Sequence, residues 1–88
     1  MCTYIVHSAP IAGSGKGARG WFSVSQASIG FDHPVHAPLD HAFLIDFANP
    51  ALGTDARVAV EMDLASAKAL VAKLQATIVE AEASGVAE

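Results

Sequence analysis

The amino-acid sequence predicts an α+β fold, in which a four-stranded antiparallel sheet carries one C-terminal helix packed on one of its faces. Three observations support this prediction. Four segments alternate apolar and polar residues, segments with glycine or proline separate them, and a long final segment has helical spacing. With 88 residues the chain has room for one hydrophobic core, so we expect a single domain over residues 1–88.

The four predicted strands contain β-branched and aromatic residues in alternation with polar ones. In the second strand the alternation slips near Gln26, which predicts a bulge or a bend. The third strand alternates most clearly, because Phe43, Ile45 and Phe47 share one face. In chain order, the strands are expected over residues 2–9, 21–31, 41–48 and 57–62.

The final segment predicts an amphipathic helix. Asp63 is a typical N-cap residue, and Gly85 is typical of the position just past a helix C-terminus. We expect the apolar stripe of this helix to pack on the sheet face that carries Ile45. The opposite sheet face, which carries Leu44, would then be free to form an interface with another chain. The stripe comprises residues 67, 70, 71, 74, 78 and 81.

The composition bears on partners and location. Lys and Arg number 5 and Asp and Glu number 9, so the net charge of −4 disfavours nucleic-acid binding. Hydrophobic residues make up 52% of a very short chain, so we expect a homo-oligomer, a dimer or larger, to cover part of them. No apolar run approaches the ~18 residues of a spanning helix, and the N-terminus lacks a secretory signal. We therefore expect a cytoplasmic protein that does not bind membranes.

Three of the four histidines lie close together, flanked by two aspartates. Because imidazole ligates zinc, copper and ferrous iron, the sequence predicts a divalent-metal site at His33, His36 and His41, zinc first, with iron or copper as alternatives. Asp32 or Asp40 would orient an imidazole through its other nitrogen, or act as a ligand itself. The alternative is that these histidines are structural and bond to backbone carbonyls.

Cys2 and His7 are further candidate ligands. They are five positions apart, so on a flat strand they point to opposite faces and cannot bind one ion from the same side. The simpler interpretation is that Cys2 is a small buried apolar residue and His7 a hydrogen-bonded sheet histidine. The single cysteine also excludes an intramolecular disulfide.

Residues 12–20 contain four glycines and predict a flexible loop. The segment lacks the glycine and the hydroxyl residue that a Walker phosphate-binding loop requires at fixed spacing. Its backbone amides, together with Lys16 and Arg19, are candidates for binding a carboxylate or a phosphate. A loop that only connects two strands is the alternative.

Catalytic residues stay unknown at this point. Asp46 and Glu61 are expected on the same sheet face as Arg57, where ion pairing explains them better than catalysis. Two hypotheses remain for the function. The first is a small metalloprotein, with or without enzymatic activity, in which Lys16 and Arg19 orient a small anionic substrate. The second is a non-enzymatic accessory subunit that self-associates or docks on a larger enzyme.

The chain resembles a family of short, uncharacterised bacterial proteins. The resemblance rests on Met-Cys-Thr-Tyr at residues 1–4 and on Asp-His-Pro-Val-His-Ala-Pro at residues 32–38. It covers nearly the whole sequence and implies that this is a complete protein. It implies no activity and no cofactor.

Overall fold

The computed structural model describes residues 5–86, and its elements confirm the predicted fold class. The four strands form one antiparallel sheet in the order β1-β2-β3-β4, so that each strand pairs with the next one along the chain. The elements are β1 (Ile5–Gly17), β2 (Gly20–Asp32), β3 (Ala42–Ala48), a 3-10 turn (Pro50–Leu52), β4 (Arg57–Met62) and the helix α1 (Leu64–Ser84).

The glycine-rich segment is not the loop that the sequence predicts. It belongs to the β1–β2 hairpin, in which Ala18 and Arg19 form a two-residue turn and Gly20 opens β2 with a φ of 107°. A positive φ of this size costs glycine little, because it has no Cβ. Both strands are therefore longer than predicted, with 13 residues each.

Glycines can occupy this hairpin because a cross-strand aromatic ring lies beside them. A Cβ added at Gly17 would lie 3.2 Å from the ring of Phe22, and one added at Gly15 would lie 3.0 Å from the side chain of Val24. The Phe22 ring thus fills the space that side chains would take, which compensates for the weak packing of glycine in a strand.

The expected irregularity near Gln26 is confirmed. The β1–β2 ladder shifts register between Pro10 and Gly13, opposite the stretch from Gln26 to Val24. A bulge increases the local bend of a strand. Beyond it, β1 approaches β4, so that a Cβ at Gly15 would lie 3.5 Å from the Val58 side chain.

The two faces of the sheet differ in chemistry. Because paired residues point to the same side, the registers assign every strand residue to one of two faces. The apolar face carries Ala27, Ile29, Phe31, Phe43, Ile45, Phe47, Val58, Val60 and Met62. The polar face carries Ser28, Leu44, Asp46, Arg57, Ala59 and Glu61.

Helix α1 forms as predicted but does not lie on the apolar face. Asp63 accepts a hydrogen bond from the Ser66 amide at 2.8 Å, and Gly85 ends the helix with a φ of 77°. Leu70, Leu74 and the other large residues of the stripe are 48–58% exposed. The reason is the connection: Asp63 alone separates β4 from α1, whereas a chain that turns back needs two to six residues.

The buried hydrophobic core within residues 5–86 is small. It consists of residues that are at most 9% exposed, namely Val24, Ala27, Ala42 and Ala56. No helix in this part of the chain combines the length and the hydrophobicity needed to span a lipid bilayer.

Candidate metal centre

The histidine-rich loop connects β2 to β3 and is anchored by a glutamate of β4. The carboxylate of Glu61 accepts hydrogen bonds from three consecutive backbone amides, those of Val35 at 2.6 Å, His36 at 3.1 Å and Ala37 at 2.7 Å. Loop amides have no ladder partner, so a carboxylate that accepts three of them fixes the path of the chain. Because Glu61 pairs with Leu44 on the polar face, residues 35–37 of the loop lie on that side of the sheet.

These hydrogen bonds also stabilise the charge of Glu61. The amides of Ala37 and Val35 are the main causes that lower the pKa of its carboxyl from the ordinary value of 4.5, and partial desolvation opposes them. The anionic form therefore prevails at neutral pH. The sequence analysis expected both Asp46 and Glu61 to pair with Arg57. Asp46 does so, at 2.8 Å, whereas Glu61 binds the loop amides.

Asp40 lies between two imidazoles at the end of the loop. Its backbone carbonyl is 2.8 Å from Nδ1 of His33, and its carboxylate is 2.9 Å from Nδ1 of His41. A carbonyl and a carboxylate only accept hydrogen bonds, so Nδ1 carries a proton in both rings. Asp40 thereby sets the tautomer and the direction of both rings.

Ring contacts hold the same histidines in place. The centroids of His33 and His41 are 4.3 Å apart, and His41 stacks on Phe31 of β2 at 5.4 Å. The side chain of His41 is 28% exposed, whereas that of Asp40 is 89% exposed. One ring is therefore seated on the sheet while the carboxylate faces solvent, where an ion can reach it.

Within the described residues, one group could hold a metal ion. One potential ligand atom from each of His33, Asp40 and His41 lies within 4.8 Å of the other two. Two arrangements suit such a set. Asp40 either ligates the metal together with the two imidazoles, or it orients them while their Nε2 atoms ligate.

The other predicted ligands within the described residues are not part of this group. His36 is not part of this group, and its backbone amide is bound by Glu61. Asp32 accepts a hydrogen bond from the His33 amide at 2.7 Å, so it holds the backbone of His33 and not its ring. His7 is on β1 opposite Ile29. Cys2 lies outside the described residues.

An apolar cleft of about 490 Å³ opens beside His41. His7 and His41 are its two imidazoles, and the rest of its wall comes from β1, β2, β3 and the first residue of α1. The remaining lining residues are Ile5, Ile29, Gly30, Phe31, Phe43 and Leu64. A ligand bound in this cleft would contact mostly hydrocarbon, with polar groups only along the histidine side.

Lys16 and Arg19 do not share a cleft. Lys16 lines a cleft of about 330 Å³ with Trp21 and Phe47, whereas Arg19 lies at the hairpin turn and pairs with Asp55 at 3.1 Å. Eleven residues of β2 separate the partner of Lys16, Trp21, from the start of the histidine loop. At the rise of a β-strand this distance is roughly 36 Å. A small substrate at the histidines cannot touch either cation.

The role of Glu61 is the part of the site that sequence reasoning missed. The signal was present in two places. The two prolines of the loop interrupt any regular pairing, so the amides between them need an acceptor. Glu61 is an acidic residue on a strand, and its polar-face position predicted only a surface charge. The contact between Glu61 and these loop amides depends on the strand register, which the sequence does not reveal.

Comparisons with known proteins give a family but no activity. A family model described as a family of unknown function matches residues 1–87. No curated protein and no solved structure matches the chain. Because the match spans nearly the whole chain, the protein belongs to this family of unknown function, DUF6295.

Proposed function

We propose that the protein binds a divalent transition metal, zinc first, through His33, Asp40 and His41. The observation that carries the proposal is the gathering of three ligand atoms within 4.8 Å in a loop whose path Glu61 fixes. Two imidazoles and one carboxylate are a common donor set for zinc and for ferrous iron.

The spacing of the donors supports direct ligation by Asp40. Zinc binds nitrogen and oxygen at about 2.0–2.2 Å, so two ligands of a tetrahedral ion are about 3.3 Å apart. Nδ1 of His41 and Oδ2 of Asp40 are 2.9 Å apart, and Nδ1 of His33 is 4.0 Å from Oδ1 of the same carboxylate. Direct ligation would require the three atoms to move to these distances. For Nδ1 to ligate, the proton that each ring carries there would have to move to Nε2.

Three protein ligands leave a coordination position open, and this position bears on enzymatic activity. A metal there would supply Lewis-acid chemistry, either activation of a water or polarisation of a carbonyl. Because His41 also lines the apolar cleft, a substrate would approach over hydrocarbon walls. The anionic substrate expected from Lys16 and Arg19 finds no support here, so the proposed substrate has an apolar body and one polar head.

Metal content tests the proposal directly. Untagged protein is dialysed against a twofold excess of zinc, then against buffer, and its zinc is measured by mass spectrometry. We expect close to one zinc per chain, and a loss of at least 100-fold in affinity for His33→Ala and for His41→Ala, because the ligand set falls below three. His36→Ala and His7→Ala are matched controls and should keep the metal.

Two outcomes would overturn the proposal. A parent protein that retains no zinc, iron or copper after supplementation is not a metal-binding protein. A His36→Ala variant that loses the metal while His41→Ala keeps it would place the site elsewhere in the loop. The same dialysis with ferrous iron under argon and with copper ranks the three metals.

A second candidate function, a non-enzymatic subunit that self-associates, is favoured by a separate observation. The apolar face of the sheet and the apolar stripe of α1 are both exposed in the single chain. Association and metal binding are compatible, and adding a chelator during a mass measurement separates them.

A further inference from the structure

The single chain exposes more surface than a compact domain of its mass. Its accessible surface is 6734 Å², whereas folded monomers of this mass expose about 4,900 Å². The excess of about 1,800 Å² per chain lies within the roughly 1,000–2,500 Å² that each partner buries in an obligate homodimer.

The dimensions of the chain agree with this excess. The radius of gyration is 14.7 Å, while a compact domain of this length has about 12 Å. The longest extent is 47 Å, and α1 alone accounts for about 32 Å at the rise of an α-helix. The 13-residue strands β1 and β2 span about 43 Å, so the long hairpin and the exposed helix both contribute to the excess surface.

The exposed surface is apolar on both the sheet and the helix. On the sheet, Ile5, Ile29 and Val60 are 39–46% exposed although they lie on the apolar face or at its β1 edge. On the helix, Leu70 and Leu74 are 48% and 58% exposed. Soluble monomers rarely expose apolar patches of this extent, so both surfaces need a cover.

We propose that a second copy of this chain provides the cover, with α1 of each copy lying on the apolar face of the other. The dimer would bury the apolar stripe of one chain against Ile29, Ile45 and their neighbours in its partner. The apolar cleft beside His41 is part of the same face. This inference goes beyond metal binding and does not depend on it.

A second copy fits better than an unrelated partner because the chain carries both halves of the contact. Within one chain, the single-residue link at Asp63 keeps the helix from turning back onto its own sheet. Between two copies this restraint is absent, and a two-fold axis makes both helix–sheet contacts at once. A helix about 32 Å long is also long enough to cross four strands that are about 4.8 Å apart.

The mass in solution is the first test. The mass is measured by light scattering after size exclusion, at a chain concentration of about 10 µM. EDTA is present so that no metal ion bridges two chains. The expected mass is twice the 9.0 kDa of one chain. The melting temperature should also rise with chain concentration, since dissociation accompanies unfolding. A parent with the mass of one chain and a melting temperature independent of concentration overturns the proposal.

A pair of helix variants locates the contact. Leu74→Glu places a charge in the apolar stripe, and Ala76→Glu places the same charge on the opposite side of the same helix. We expect the first variant to weaken dimerisation at least 100-fold and the second to leave it within threefold. Equal dissociation constants for the two variants would overturn the assignment of the helix to the interface.

The last test concerns the arrangement and needs no variant. In a mixed dimer of isotope-labelled and unlabelled chains, nuclear Overhauser effects between chains should connect Leu74 methyl groups to those of Ile29 and Ile45. A dimer in which these effects join only sheet to sheet contradicts the exchange of helices.

Discussion

The two faces of the sheet differ in whether their side chains find partners within the same chain. On the polar face, Asp46 pairs with Arg57, and Glu61 binds the amides of the histidine loop, so polar groups there find partners within the same chain. On the apolar face, Ile29 and Val60 are 46% and 39% exposed, and the apolar stripe of α1, itself exposed, does not cover them.

The difference follows from the kind of contact each face needs. A carboxylate can fix a loop with a few directional hydrogen bonds, and the loop needs only enough length to reach it. An apolar face needs a large complementary surface, because the hydrophobic effect scales with area. One short chain supplies the directional hydrogen bonds but not the large complementary surface. The candidate metal site therefore needs one copy of the chain, whereas the apolar face would be covered only by the proposed second copy.

Charges placed on adjacent residues of β3 test this difference and should give the largest effect. Ile45 lies on the apolar face and Leu44 on the polar face. Ile45→Lys should lower the free energy of unfolding by about 3 kcal/mol or more and abolish the dimer, because it places an unpaired charge in the contact. Leu44→Lys should keep the dimer, since it lies near the carboxylates of Asp46 and Glu61. Light scattering and chemical denaturation measure both.

The opposite result for this pair is informative. The sequence analysis expected the interface on the side of Leu44. If Leu44→Lys dissociates the protein while Ile45→Lys does not, the polar face is the interface and the comparison of the two faces is wrong.

Glu61→Gln tests the anchoring of the loop and should give the next largest effect. The amide of glutamine accepts with only one oxygen and presents donors toward the loop amides, so the loop loses its fixed path. Zinc affinity should fall by about 10- to 100-fold, as for other groups that hold ligands without touching the metal. Titration calorimetry measures it, and Glu80→Gln on the exposed side of α1 is the control for net charge. Equal affinities in the two variants would remove Glu61 from the site.

The same variant, Glu61→Gln, tests how the contribution of Glu61 to stability depends on pH. Loop amides lower the pKa of Glu61 below 4.5 in the folded protein. A lowered pKa contributes stability that is fully present above the unfolded value and is lost as the pH falls through the folded value. In metal-free protein, the difference in melting temperature between the parent and Glu61→Gln should be constant above about pH 5.5 and shrink steadily below about pH 4.5. A difference that grows on acidification contradicts the sign.

The smallest effect is expected for the ion pair of the polar face. The side chains of Arg57 and Asp46 are 57% and 31% exposed, and such pairs contribute about 0–1 kcal/mol. Asp46→Asn should therefore change the free energy of unfolding by less than about 1 kcal/mol, and less still in 0.5 M salt (about a 4 Å screening length). A larger loss in a denaturation curve would show that the pair does more than occupy the surface.

The parts of the fold that the sequence predicts depend on local patterns. The strand over residues 42–48 alternates without interruption, and Asp63 and Gly85 mark both ends of the helix by local hydrogen bonding and backbone freedom. The hairpin was predicted wrongly because glycine density favours a loop. What makes those glycines acceptable is Phe22 on the opposite strand, and such a contact is not a local property.

The sequence likewise predicts only part of the candidate site. His33, His41 and Asp40 are neighbours in the chain, so their gathering follows from a short, proline-restrained loop. The exclusion of His36 and the anchoring by Glu61 depend on a contact across 24 to 26 residues, and only the strand register reveals it. The prediction that the helix packs on its own sheet was wrong for a related reason. Periodicity shows which side of a helix is apolar, but it does not show what covers that side.

X-ray absorption at the zinc edge of the zinc-loaded protein tests the central claim most directly, namely that one chain builds the metal site from His33, Asp40 and His41. The account predicts nitrogen and oxygen at about 2.0–2.2 Å, multiple scattering from two imidazoles, and no sulfur. A sulfur scatterer at about 2.3 Å would bring Cys2 into the site. That result, or scattering from three imidazoles with His36 as the third, would contradict the account.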